Sequence, residues 1–384
     1  MGASSNPFVY GEIVTSEAFA DREVERDRLR RDLGNGQKVF LISPRRYGKS
    51  SLVRDVLRGL TRENILTVEV TVAASSSYVG FLEAYARALV AADTPVGRLR
   101  RWTSELLTGV RPEVRFDAGP GNEPGFSLAF PAVRTARDTA RLAAEVFALP
   151  ARIAAARGQK LAVALDEFQA LTAFDGDTTE QALRAAVQDQ RAVGYVFAGS
   201  EPSLMERMIS PKRPFYKAGP VMRLQKIEPG IFADWLERRF KVSGIKAEAG
   251  LGAAIVDLAG NVPYDVQRLA HETWDDLHEN GRCAATLDDL HVTLTRLLGE
   301  QHTVFEESWQ RLTLAQRAAL RAVVLEDGRE MLSGDVRTRH RLAGASSVQA
   351  ALTALVKQDV VMKDGAAYVV TDSLYREWVA RKTF

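Results

Sequence analysis

The sequence predicts an α/β chain: a five-stranded parallel sheet with helices on both faces, then an all-helical segment, then three helices and a hairpin. Three observations carry this. Short, unalternating apolar runs recur between residues 38 and 224, separated by helical patterns, as buried parallel strands and their crossovers read. Residues 228–300 show helical periodicity only. Residues 310–384 show three helical patterns, then Val360-Val361-Met362, a turn at Lys363-Asp364-Gly365, and Tyr368-Val369-Val370.

The elements follow in order. An N-terminal arm carries Phe8, Tyr10 and Phe19, and the charged run from Glu23 to Leu33 reads as a helix. Gly34-Asn35-Gly36 stops it, because glycine and asparagine accept the left-handed conformation that closes a helix. Val39 to Ile42 is the first strand; Lys49 to Leu60 repeats apolar residues at helical spacing. Ile65 to Val72 is a second strand, rich in β-branched residues, and Val79 to Ala91 a helix. Glycines and prolines punctuate residues 92–130, which read as an irregular excursion with room for a short hairpin. The alanine-rich run from Pro131 to Arg157 is helical, with Pro150 expected to separate two helices. Leu161 to Leu165, Tyr195 to Ala198 and Val221 to Leu224 are the remaining strands, and Gln181 to Gln190 a helix. Domain boundaries are expected at 1–227 (α/β core with the arm), 228–300 (helical) and 301–384, where three helices and a hairpin stand in winged-helix order.

Composition excludes several classes. Of 384 residues, 46% are hydrophobic and 26% charged, with a net charge of +2. That is a globular balance without polyelectrolyte character, so any nucleic-acid contact must come from a local patch. The single cysteine, Cys283, cannot form an intramolecular disulfide, and the five histidines form no tight metal-ligand cluster in the sequence. No basic flank and apolar core open the sequence, so no signal peptide is expected, and no apolar run reaches membrane-spanning length. A soluble, cytoplasmic protein is expected.

Between the first strand and its helix lies Ser43-Pro44-Arg45-Arg46-Tyr47-Gly48-Lys49-Ser50. It fits the phosphate-loop pattern G-x-x-x-x-G-K-[ST] except at the first position, where serine replaces glycine. The helix N-terminus and loop amides present positive potential to phosphates. Gly48 allows close approach, Lys49 can reach β and γ oxygens, and the Ser50 hydroxyl can ligate Mg²⁺. This predicts a P-loop NTPase core.

The strand Leu161 to Leu165 ends in Asp166-Glu167. Acids at the C-terminal edge of a parallel strand face the crevice where such sheets bind ligands. Asp166 is assigned to Mg²⁺ through water, and Glu167 to orienting and deprotonating the attacking water. Ser200, at the end of the fourth strand, is the candidate sensor of the γ-phosphate. The guanine-reading Asn-Lys-x-Asp pattern is absent, which favours ATP over GTP.

These motifs, in this order, resemble the archaeal-type ATPase family, a STAND branch of the AAA+ superfamily. The likeness spans nearly the whole chain. The loop Pro44 to Ser51, with Leu52, and the acidic motif Asp166-Glu167-Phe168-Gln169 carry it most specifically. Asn6-Pro7-Phe8, Tyr10-Gly11, Phe19 and Arg22-Glu23 resemble the family's N-terminal segment. That likeness implies Arg22 and Glu23 near the base, with Asp21 in place of a glycine. Pro214-Phe215-Tyr216 resembles a Pro-Leu-Tyr-Gly-Arg element, but Lys217-Ala218 replaces Gly-Arg; Lys212, Arg213 or Lys217 could stand in for the arginine. Gly260 to Tyr264 resembles the lid element, with Val262 inserted, and implies Arg268 as a second sensor. Asp372-Ser373-Leu374-Tyr375-Arg376-Glu377-Trp378 resembles the closing element after the wing. The resemblance implies residues 228–300 as a lid and a Mg²⁺-dependent ATPase forming ADP and phosphate. Hydrolysis would act as a molecular switch.

Two outputs compete. One is double-stranded DNA binding through the winged helix, with Ser347, Gln349, Thr353 and Lys357 on the third helix and Arg337, Arg339, His340, Arg341, Lys363, Arg381 and Lys382 around it. That helix lacks base-reading arginine or asparagine, so strong sequence specificity is not expected. The other is a nucleotide-regulated protein–protein scaffold, with a protein partner or self-assembly on ATP and no DNA.

Overall fold

A computed structural model describes residues 5–12, 19–93, 112–118, 124–130, 133–174 and 177–382. The described chain divides into two compact units, Ile13–Gln225 and Met1–Glu12 with Lys226–Phe384.

In the first unit α1 (Glu23–Gly34) precedes β1 (Lys38–Ile42), α2 (Lys49–Arg62), β2 (Leu66–Thr71) and α3 (Tyr78–Asp93). A hairpin, β3 (Glu113–Ala118) and β4 (Pro124–Ala129), occupies part of the expected excursion; residues 94–111 and 119–123 lie outside the described residues. Then come α4 (Ala136–Arg157), β5 (Leu161–Asp166), α5 (Asp177–Val187), β6 (Val193–Gly199), α6 (Pro202–Met208) and β7 (Val221–Arg223).

The five core strands form one parallel sheet in the order β2-β5-β6-β1-β7. Every residue of β5 and β6 is buried, which explains their unalternating sequences. The two faces differ in size. Phe40, Ile42, Val163, Leu165, Tyr195 and Phe197 meet Phe81 and Tyr85 of α3, Leu142 and Phe147 of α4, and Leu183 of α5. The other face is lined by Val39, Leu41, Ala162, Ala164, Val196 and Ala198. These small side chains let α1 and α2 pack closely through Leu29, Leu33, Leu52, Val53 and Val56.

Pro150 corrects one expectation. It sits inside α4, which runs unbroken from Ala136 to Arg157. A mid-helix proline removes one hydrogen bond and crowds the preceding turn. Burial of Leu142, Val146, Phe147, Leu149 and Ile153 on one face outweighs that cost. The neighbouring Phe147 carbonyl accepts from the buried Gln190 amide at 2.6 Å, a contact from outside the helix.

In the second unit α7 (Pro229–Val242), β8 (Lys246–Ala247), α8 (Leu251–Leu258), α9 (Pro263–Glu279), β9 (Ala284–Ala285) and α10 (Leu287–Glu300) follow one another. The two-residue strands β8 and β9 pair in parallel within a stretch expected to be wholly helical; they are too short to leave a periodicity. Phe8 of the N-terminal arm is buried here, 4.7 Å from the Phe240 ring and 6.1 Å from Trp235 between centroids.

The C-terminal portion comprises α11 (His302–Gln310), α12 (Leu314–Leu325), α13 (Gly334–Arg339), α14 (Ala345–Lys357), β10 (Val361–Asp364), β11 (Ala367–Val370) and α15 (Ser373–Arg381). β10 and β11 are antiparallel and close the winged-helix order. Asp372 caps α15 by accepting from the Tyr375 amide at 2.9 Å. Trp378 then packs among Phe305, Trp309 and Tyr375. Among the described residues, no helix is long and apolar enough to cross a membrane.

Candidate active site

Strand order places the site. β6 lies between β1 and β5, and register aligns Ile42 with Gly199 and Leu165 with Phe197. The C-terminal ends of three neighbouring strands therefore deliver the loop 43–50, Asp166-Glu167 and Ser200 to one edge. The chain leaves β1 for β2 across two intervening strands, which makes this edge a switch point of the kind that binds ligands.

The loop opens with Ser43, whose amide donates to the Gly199 carbonyl at 3.2 Å and extends the β1–β6 ladder. Ser43 does not have a positive φ, so its backbone does not call for the glycine of the usual pattern. Pro44 is half-buried, Arg45 and Arg46 are exposed, and Tyr47 is buried. Arg45 lies 4.0 Å from Glu201. Gly48 is the N-cap of α2 at φ +81, with no side-chain cap, and a side chain there would project into open space. The first turn of α2, which includes Lys49, Ser50 and Ser51, carries no acidic residue. Its positive end is available to an anion.

The charged centre is tight. Lys49, 6% exposed, pairs with Asp166 and lies 3.2 Å from Glu167 Oε1. The Ser50 hydroxyl donates to Asp166 Oδ2 at 2.8 Å. One ammonium thus faces two carboxylates, and the surplus negative charge suits a divalent cation. Glu167 Oε2 accepts from the Ser200 hydroxyl and from Gln169 Nε2, the latter at 2.6 Å. Burial pushes the Glu167 carboxyl up, but the Ser200 hydroxyl, the Lys49 charge and the Gln169 amide outweigh it and hold it below its usual value. Glu167 sits at φ +51, a conformation that costs a non-glycine residue energy and recurs at functional sites.

Lys49, Ser50, Asp166, Glu167 and Ser200 are thus brought together as predicted. Arg22 and Glu23 stand at the start of α1, and with Phe19, Arg26, Leu52 and Asp55 they line a small crevice beside the first turns of α2. Arg22 is buried, donating to Glu25 at 2.9 Å and to the Gln225 carbonyl at 2.6 Å. Asp21 has φ +47, which accounts for a glycine in the resembling motif. Arg268 belongs to the second unit, on α9, where its guanidinium faces the Gln301 amide. Of the substitutes for a missing arginine, Arg213 is held by Asp177 and Glu180. Lys212 and Lys217 are exposed.

In the sequence Gln169 and Gly199 stand only as members of motifs, with no role of their own. The signal for Gln169 was a polar side chain on a turn directly behind an apolar strand.

On the winged helix, Ser347, Gln349, Thr353 and Lys357 are exposed on α14 as expected. Several surrounding basic side chains already have acidic partners. Glu326 holds Arg339 at 2.6 Å and His340 at 2.7 Å, and Glu306 holds Lys382.

A family model described as "Probable winged helix domain" matches residues 303–381. No curated protein matches the sequence. Among solved structures, the Walker-type ATPase of Pyrococcus abyssi superposes with a TM-score of 0.64 at 17% identity, covering 97% of this chain and 99% of its own. The ORC2 protein of Aeropyrum pernix in its ADPNP-ADP complexes gives 0.54 at 13% identity, over 97% and 94%. The ORC1 protein of Aeropyrum pernix, in complex with DNA, gives 0.51 at 14% identity, over 95% and 93%. The fold is therefore shared with a Walker-type ATPase and ORC proteins over nearly the whole chain, with a winged helix at its C-terminal end.

Proposed function

We propose that this chain is a Mg²⁺-dependent ATPase of AAA+/STAND type whose nucleotide state controls its C-terminal winged helix. The observation that carries the reading is the convergence of Lys49, Ser50, Asp166, Glu167 and Ser200 at the ends of β1, β5 and β6. The donor set fits the ligand: an uncapped helix N-terminus, open space at Gly48, and a hydroxyl hydrogen-bonded to a carboxylate. Bound MgATP would supply the phosphoanhydride to be cleaved and the cation that offsets the carboxylates. Lys49 would then exchange its carboxylate partners for phosphate oxygens, and Ser50 and Asp166 would hold the metal. Glu167 would take a proton from water, with Ser200 positioned beside it. Resemblance alone supports Arg22 and Glu23 on the base side and Arg268 as a lid sensor. We assign an ATPase core ending at residue 227, a lid over 228–300 and a winged-helix domain over 301–384, in a cytoplasmic protein.

The output we favour is double-stranded DNA. The winged-helix match and the exposed face of α14 support it, as does the shared fold with an ORC1 protein solved on DNA. The scaffold reading keeps one supporting observation, the pairing of Arg339 and Lys382 with acids, which reduces the charge left for phosphates.

The test is steady-state ATP hydrolysis with Mg²⁺, with and without duplex DNA. Lys49→Ala and Glu167→Gln are each expected to lower turnover by about 100-fold or more, the second while still binding ATP. An active Glu167→Gln would sink the assignment of the base. Stimulation by DNA favours the DNA output over the scaffold.

A further inference from the structure

Resting on that ATPase reading, we infer that Gln169 is a positioning residue for the catalytic carboxylate, fixing one oxygen of Glu167 so that the other alone meets the reacting centre. Gln169 follows β5 on a short 3-10 turn, Phe168–Ala173, and is 4% exposed. Its Nε2 donates to Glu167 Oε2 at 2.6 Å and to Ser200 Oγ at 3.3 Å.

Chemistry fixes the direction of this amide. A carboxylate only accepts, and Ser200 spends its proton on Glu167, so Ser200 shows Gln169 only lone pairs. Both neighbours require a donor. Reversing the amide would press a carbonyl against a carboxylate. At the opposite end, Gln169 Oε1 is buried and has no hydrogen-bond partner among the described residues, so no contact there favours the reversed amide.

Neighbouring backbone makes room for the clamp. A Cβ at Gly199 would lie 2.8 Å from Gln169 Oε1 and overlap Met205. The two oxygens of Glu167 are thereby divided. Oε2 is held by Ser200 and Gln169, while Oε1 faces Lys49. When Lys49 turns to phosphate, Oε1 is released toward water while Oε2 stays anchored. A carboxylate freed at both oxygens would rotate, and misplacement of a reacting group is costly.

The experiment compares the natural chain with Gln169→Leu, Gln169→Glu, Glu167→Gln and the double variant Glu167→Gln/Gln169→Leu. The measurements are kcat and KM for ATP, and equilibrium binding of a slowly hydrolysed ATP analogue. Gln169→Leu is expected to lower kcat by about 10- to 100-fold, leaving KM and analogue affinity within about 3-fold, because the interaction serves the reacting geometry. Gln169→Glu, which keeps the size but sets a second carboxylate against Glu167, should fall further. The double variant should lose no more than Glu167→Gln alone, since Gln169 acts through that side chain.

In the nucleotide-free chain, the Gln169 side-chain amide protons should shift on Glu167→Ala; they are identified in NMR spectra by their loss in Gln169→Leu. Natural kcat in Gln169→Glu, equal losses of kcat and analogue affinity in Gln169→Leu, or unmoved amide resonances would each overturn the inference. Should Gln169→Leu not fold, Gln169→Glu carries the kinetic test. If Glu167→Gln abolishes turnover and the Gln169 variants do not, only the role of Gln169 fails. If the natural chain neither binds nor hydrolyses ATP, the ATPase reading itself fails.

Discussion

Single residues at this site are held in conformations that their own chemistry disfavours. Glu167 occupies the left-handed region at φ +51, whereas Gly48, at φ +81, begins the helix of the candidate phosphate loop without that cost. Gly199 is there for a different reason, the space its missing side chain leaves for Gln169 and Met205. Gly199→Ala is therefore expected to destabilise the fold by about 1–3 kcal/mol through overpacking. Turnover should fall with it, because the added methyl crowds Gln169 as well as Met205. Thermal unfolding and steady-state kinetics on the same preparation check this; a variant with natural stability and rate would show that the neighbours yield freely.

Elements are fixed by their ends and by buried ion pairs. Glu180 on α5 is fully buried, and its charge is met by Arg213 at 2.6 Å from the loop after α6. Burial pushes the Glu180 carboxyl above its usual value despite the nearby guanidinium. Arg213→Ala leaves that carboxylate unpaired and should cost about 2–4 kcal/mol, discounted because Arg213 is a quarter exposed. Adding Glu180→Gln should restore much of the loss, as denaturant midpoints would show.

At the start of α10, Thr286 and Asp289 form a reciprocal cap. Burial raises the Asp289 carboxyl, but hydrogen bonds from the Thr286 hydroxyl and amide and from Arg282 hold it below its ordinary 3.8. A lowered acid stabilises the fold above its unfolded pKa and loses that contribution as the pH falls through the folded value. Thr286→Ala should thus cost about 1 kcal/mol at neutral pH. The penalty should shrink as the pH drops below 3.8. Comparing unfolding midpoints of the two chains across that range tests the sign.

For the whole molecule, the net charge of +2 means that any DNA affinity is local and salt-sensitive. Arg341 and Lys357 are exposed beside and on α14. Reversing both charges (Arg341→Glu, Lys357→Glu) should weaken duplex binding and reduce the slope of log K against log salt by about 1 for each phosphate that is no longer neutralised. Binding that ignores salt and both substitutions would point to the scaffold instead. A switch further requires that an ATP analogue change the DNA affinity, since a ligand equally favourable to both states shifts neither.

Local sequence patterns were enough for the five core strands, the loop and the two acids. Apolar runs with turn signals and a Gly-Lys-Ser before a helix are local patterns, readable without neighbours. The sequence also placed the exposed face of α14, because helical spacing alone sorts Val348, Leu352 and Leu355 inward from Gln349 and Thr353. The tertiary structure decided what depends on distant partners. Pro150 stays within a helix because the core holds one face of α4, and the Phe147 carbonyl near it takes a donor from Gln190, forty residues on. β6 slips between β1 and β5, an order that no local pattern encodes, and so carries Ser200 to the acids. Gln169 becomes a donor to Glu167 only because Ser200 and Gly199 arrive beside it from another strand. Periodicity reports which face of an element is buried. Which groups meet across that burial is set by packing.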